Sequence, residues 1–380
     1  MKFIKIYAFF LLIILAFSGC NSYSQKKNNN IVIGAIFSST GVAGDYGKKS
    51  LEGIRFAVNE VNACGGINGQ KIEVIYEDAK SSPKDAISAL NKLLNINNVT
   101  IIIGDVYSST TKVLIDNLPN KALLFAPGAS SPQLTNIKPN FIRNWTSDNF
   151  DGYSMAHVVY RNGIREIATL TQNNDYTISL NEAFVLEFKK QNGTVFSKFY
   201  FDGESSDYKI LIQRLKNKNI KAVYLTALSK EMGLILKQAK EIGYFPQWFT
   251  NLTVNSDDCK KIAGSARNGV VFSKPYIDLE NISLASKKFV EAYKKINGRE
   301  PDETVCHAYD AMNIIAYAIK NKGTNTDSLI TCINGIKNYA GLSGVTSFDG
   351  HGGVLKQIEV LKILNDSLLF VKKFSFNDNK

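Results

Sequence analysis

The chain has 380 residues, with 45 lysines and arginines against 34 aspartates and glutamates and a net charge of +11. The basic residues are scattered among acids, as in Lys287, Lys288, Glu291, Lys294 and Lys295; with no arginine-rich stripe and no interleaved aromatic platform, a nucleic-acid partner is excluded. His157, His307 and His351 lie far apart and the five cysteines include no CxxC pair, so metal-ligand spacing is absent and no cofactor is expected.

The chain opens on Lys2 and Lys5, followed by a continuous apolar run over residues 6–17 and then Phe17-Ser-Gly-Cys20. That run is too short to span a bilayer and has the shape of a signal-peptide core. Residues 1–19 are therefore expected to be removed. The ending resembles a bacterial lipobox, which makes Cys20 the expected site of lipid attachment. The polar stretch 20–30 would be a tether, and as a random coil its ten residues after Cys20 span about 18 Å. The protein is then expected to be exported, facing the periplasm or the cell exterior, and held to the membrane by its lipid.

From Ile31 apolar runs and amphipathic stretches alternate. A strand at 31–37 precedes a helix at 47–63, whose apolar stripe is Leu51, Ile54, Ala57, Val58 and Val61. A strand at 72–76 is followed by Ser82-Pro83, an N-cap and first-turn proline that start another helix. Two short apolar runs come next, 99–103 and 122–125, each reading as a buried parallel strand. The first opens into Gly104-Asp-Val-Tyr-Ser-Ser-Thr-Thr111 and the second into Ala126-Pro-Gly-Ala-Ser-Ser-Pro-Gln-Leu-Thr135. Both loops leave the carboxyl edge of a sheet, where open α/β proteins bind ligands. A helix expected over 109–118 places Ser108 and Ser109 at its positive end, suited to a carboxylate.

A second alternation of strands and helices runs from a helix at 153–161 to a strand at 270–273. Three helices are expected at 284–296, 304–318 and 328–337. A turn at 348–353 and a closing hairpin, 357–364 with 368–376, end the chain. The fold class predicted is α/β, two doubly wound parallel-sheet lobes. No Gly-x-Gly-x-x-Gly follows the first strand and no Gly-x-Ser-x-Gly occurs, so dinucleotide binding and hydrolase chemistry have no support and the chain reads as a non-enzyme. In an oxidising compartment Cys306 and Cys332, in neighbouring helices, are the candidate pair if any two cysteines bond. Buried free thiols are the alternative.

Several segments resemble one family. They are Ile33-Gly-Ala-Ile-Phe-Ser-Ser-Thr-Gly41, Tyr46-Gly47, Val61-Asn-Ala-Cys-Gly-Gly-Ile-Asn-Gly69, Tyr76-Glu-Asp78, the loop 126–135, Glu231-Met232 with Lys237-Gln-Ala239, and Tyr309-Asp-Ala311. The family is that of the leucine/isoleucine/valine-binding proteins, type I periplasmic solute-binding proteins of ABC importers. The resemblance implies two lobes joined by a three-strand hinge, one formed by 31–145 plus 276–347 and the other by 146–275 plus 348–380. It implies a monomer that closes on a branched-chain or other apolar amino acid and docks on an ABC permease. A non-amino carboxylate, aromatic acid or amide is the alternative ligand, and a ligand-sensing module of the same fold the alternative role. The implied ligand residues are Tyr46, Val106, Tyr107, Ser108, Ser109, Gly128, Ala129, Ser130, Tyr176, Leu228 and Leu252. Ser108, Gly128 and Ser130 match the carboxylate clamp. Leu228 stands where relatives have a tyrosine, and Leu252 where they have the acid that pairs with the ligand ammonium. If an ammonium is bound, Asp105, Asp175, Asp310 or Asp257 would have to replace that acid. The family's cystine has no counterpart, because Tyr107 occupies one of its positions.

Overall fold

The computed structural model describes residues 30–279 and 282–375. The expected signal peptide, Cys20 and the expected tether up to residue 29 lie outside these residues. The first series is β1 (Ile31–Phe37), α1 (Gly44–Ala63), β2 (Ile72–Asp78), α2 (Pro83–Asn91), β3 (Ile101–Ile103), α3 (Ser108–Asn117), β4 (Leu123–Ala126) and β5 (Phe141–Arg143). Its strands form a parallel five-stranded sheet in the order β2-β1-β3-β4-β5. Ser82 caps α2 by accepting from the Asp85 N–H, with Pro83 in the first turn. Helix α1 begins one turn earlier than its apolar stripe suggests, at Gly44. Gly47 makes this possible, because a Cβ there would lie 2.0 Å from the Ser38 carbonyl oxygen.

The second series is α4 (Asp148–Arg161), β6 (Glu166–Gln172), α5 (Asp175–Lys190), β7 (Thr194–Phe201), α6 (Lys209–Asn217), β8 (Ala222–Thr226), α7 (Ser229–Glu241), β9 (Gln247–Thr250), α8 (Asp257–Ala263) and β10 (Val271–Pro275). Three helices follow, α9 (Leu284–Asn297), α10 (Glu303–Lys322) and α11 (Thr326–Asn334), then β11 (Tyr339–Gly341), β12 (Gly344–Phe348), β13 (Val354–Leu355), β14 (Ile358–Leu364) and β15 (Ser367–Phe374). The second sheet has the order β15-β14-β10-β9-β8-β6-β7. Its β6 to β10 portion is parallel, whereas β14 and β15 run antiparallel at one edge. The lobe is therefore a mixed sheet rather than a wholly parallel one, because the closing hairpin adds to it directly.

Helices α9 to α11 return to the first sheet. Val305, Ala308, Met312, Ile315, Leu329 and Ile333 share one core with Ile33, Ile103 and Phe125. The second sheet has its own cores, one around Leu170, Leu225 and Phe272 and one around Phe184, Tyr224 and Phe249. The small sheet β11-β12-β13 was not expected from the sequence, which suggests only a turn nearby. Asp310 of α10 sets its first turn, accepting from the N–H groups of Leu342 (3.0 Å) and Ser343 (2.7 Å). Cys64, Cys259, Cys306 and Cys332 are all free thiols. The candidate Cys306–Cys332 bond is absent: neighbouring helices do not by themselves give the Cβ approach a disulfide needs, and Cys306 Sγ faces the Pro301 carbonyl of its own segment at 4.0 Å.

Candidate functional site

In the first sheet the strand order reverses direction between β1 and β3, and the parallel part of the second sheet repeats this pattern between β6 and β8. Crevices at such switch points, beyond the carboxyl ends of the strands, are where open α/β sheets bind ligands. Here one crevice faces the other. Between them is a cleft of about 560 Å³, counting the space at its mouth that is open to solvent. Tyr46 enters it from the segment after β1, Val106, Tyr107 and Ser108 from after β3, and Gly128, Ala129 and Ser130 from after β4. Opposite them stand Tyr176 after β6, Leu228 after β8 and Leu252 after β9.

All but one of the sequence-derived candidates thus meet in one place. Ser109 does not line the cleft; the helical turn carries its side chain off the cleft face, beside the Tyr107 phenol. Sequence reasoning missed Ala43, Trp145, Thr253 and Thr304. Trp145 follows β5 at the same sheet edge, a positional signal that was available. Thr304 opens α10 and has no local signal, since only tertiary packing brings it to the cleft.

The cleft is rich in donors. Helix α3 begins at Ser108 without a side-chain cap, so its first N–H groups have no built-in acceptor. Among the described residues the N–H groups of Ser108, Ser109, Gly128 and Ser130 have no hydrogen-bond partner. Ser108 Oγ accepts from the Ser131 N–H at 3.3 Å, leaving its own proton to donate. The Ser130 hydroxyl is engaged by Asp148 beneath it, so Ser130 offers the cleft its N–H. Burial pushes Asp148 up to about 7, against hydrogen bonds from Ser179 and Ser130. On the far side Tyr176 accepts from Asn251 Nδ2 at 3.0 Å, and its phenolic proton is likewise free to donate.

The loop 126–135 is held from below. The buried guanidinium of Arg143 donates to the carbonyls of Ser131 (2.9 Å) and Ala129 (3.5 Å) and to Thr135 Oγ1 (2.5 Å). Gly128 allows this loop to lie against the other one: a Cβ there would come 2.7 Å from Val106 Cβ and 2.8 Å from its Cα.

Two side-chain contacts bridge the cleft. Tyr46 Oη lies 2.8 Å from Ser229 Oγ. Lys49 of α1 is ion-paired to Asp257 of α8 at 3.2 Å, and to Asp45 (2.9 Å) and Asp302 (3.1 Å) on its own side. Asp257 is 56% exposed, so its contribution to closure is expected to be at most about 1 kcal/mol. Asp257→Asn should then speed ligand release roughly two- to fivefold at low ionic strength and lose that effect in high salt. Stopped-flow dissociation would measure it, and an unchanged rate at low salt would show that the pair does not latch the lobes.

This arrangement sets two facing switch points against each other, with uncapped donors on one side. The model for the family described as periplasmic binding protein matches residues 30–363. The chain belongs to the periplasmic binding proteins. Among curated relatives of this binding protein, the leucine-, isoleucine-, valine-, threonine- and alanine-binding protein of Pseudomonas aeruginosa is 30% identical over 317 residues, 81% of this chain and 83% of the relative. The Leu/Ile/Val-binding protein of Escherichia coli is 30% identical over 288 residues, 74% of this chain and 76% of the relative. A crystal structure of a leucine binding protein from Thermotoga maritima superposes with a TM-score of 0.85 at 26% identity, covering 92% of this chain and 99% of the other. These relatives are solute-binding proteins rather than enzymes.

Proposed function

We propose that this periplasmic binding protein captures a small carboxylate between its lobes and presents it to the permease of an ABC importer. The observation that carries the reading is the unpaired donor set at the start of α3 and in the loop after β4, facing Tyr176, Leu228 and Leu252. A carboxylate has the charge and the paired acceptors that such donors lack. The lobes are 31–145 plus 276–347 and 146–275 plus 348–380. They would close about the strands that link them and open to release ligand. The protein would act as a monomer tethered through lipid on Cys20. The amino acids for which the relatives are named are among the first compounds to test, together with carboxylates that lack the amino group.

Ser108→Ala removes one donor to a charged group, an interaction of about 1.5–3 kcal/mol. Titration calorimetry with the ligand found by a thermal-shift screen should show affinity lowered at least about tenfold. The unliganded melting temperature should stay nearly constant, because the hydroxyl makes only one long contact within the protein. Unchanged affinity would remove the carboxylate from this side of the cleft.

A further inference from the structure

The fourteen residues lining the cleft include no acidic or basic side chain. Several backbone acceptors around the cleft are already engaged. The Val106 carbonyl takes the Ala129 N–H, that of Tyr107 takes Thr111 N–H and the Thr110 and Thr111 hydroxyls, and that of Ser130 takes Asp148 N–H. On the opposite wall the Ala227 carbonyl receives Asn251 and Thr253, and that of Leu228 receives Met232.

The four acids considered as ammonium partners lie outside the cleft lining. Asp105 is fully buried and accepts from Ser38 N–H (3.0 Å), Ser38 Oγ (2.6 Å), Thr110 Oγ1 (2.6 Å) and Val106 N–H (2.6 Å). It braces the loop after β3 against the end of β1. Asp310 holds the turn between β11 and β12, and Asp257 is ion-paired to Lys49. Asp175 is exposed and lies outside the cleft lining. None of the four acids considered as ammonium partners therefore reaches the ligand space.

We infer that the ligand is a small monocarboxylate with an apolar or 2-oxo body and no ammonium beside its carboxyl group, and that Leu252 and Leu228 enforce this choice. The inference rests on the carboxylate reading above and narrows it. A cleft with free donors on one wall and apolar side chains on the other stabilises negative charge at one end of a ligand. An α-ammonium there would be desolvated on closure with no carboxylate in the lining to balance its charge.

The test uses the mature chain and matched acids: leucine, 4-methyl-2-oxopentanoate and 4-methylpentanoate, together with phenylalanine, phenylpyruvate and phenylacetate. Calorimetric affinity should be at least about tenfold greater for an oxo or plain acid than for its amino counterpart, a difference of about 1.4 kcal/mol. In Leu252→Glu the preference should reverse, with the amino acid gaining and the other acids losing at least about tenfold against an introduced negative charge. Leu252→Gln separates a charge effect from loss of packing, because it should weaken all ligands without reversing their order. Tighter binding of leucine or phenylalanine by the unaltered protein would overturn the inference and leave the carboxylate reading standing. Binding of neutral amides with no binding of any acid would overturn both.

Discussion

Gly128→Val is expected to weaken ligand binding by at least about a hundredfold, the equivalent of about 2.8 kcal/mol. The position has no room for a side chain, since even a Cβ would sit 2.7 Å from Val106 Cβ and Cγ1. Valine must push the loop after β4 away from the loop after β3. The N–H groups of Gly128 and Ser130 then no longer converge with those at the start of α3. Each bond to a charged ligand contributes about 1.5–3 kcal/mol, so displacing two of them accounts for the predicted loss. Gly128→Ala should fall between the wild type and the valine variant, because only the Cβ clash remains. Calorimetry on both variants, with far-UV circular dichroism to confirm folding, measures the effect. Near-native affinity in a folded valine variant would mean that the two loops need not touch to form the site.

Arg143→Leu should lower stability by about 2–4 kcal/mol, through buried acceptors left without a donor. Arg143 is 2% exposed and makes no ion pair within 4 Å among the described residues. Burial pushes its guanidinium down to about 10, with Asp148 and Asp349 opposing the shift from a distance. Its value to the fold lies in geometry: one planar fork reaches two carbonyls and a hydroxyl across the loop 126–135. Leucine relieves the cost of a buried charge but strands those acceptors. The melting temperature should fall by roughly 3–5 °C, and ligand affinity should fall with it as the loop loosens. Arg143→Lys keeps the charge but cannot fork, and should recover only part of the loss. A leucine variant as stable as the wild type would show that water or backbone adjustment satisfies the loop.

The strands that carry the site were legible because their apolar runs are short and bounded by turn residues, as in Ile101–Ile103 and Leu123–Ala126. Ser108 was legible because a run of hydroxyl residues stands at the start of a helix, and the chemistry of a helix start is local. The resemblance added Tyr176, Leu228 and Leu252, which composition and periodicity do not mark. Helix boundaries shifted where packing overrode the apolar stripe, as at Gly44 to Gly47. The acids considered for an ammonium were the least legible group. Asp105, Asp310 and Asp257 are written in the sequence as available charges, and only their hydrogen bonds and ion pairs show them already occupied.

The sequence by itself determined two parallel αβ series, the loops at their strand ends and the donor chemistry of one of those loops. These depend on spacing and side-chain type within about ten residues, which the linear chain states directly. Only the tertiary structure decided that Trp145 and Thr304 join the cleft, that β14 and β15 complete the second sheet, and that the wall facing the donors carries no charge. Those features arise from segments far apart in sequence brought together by burial of their shared cores, and local periodicity holds no record of such meetings.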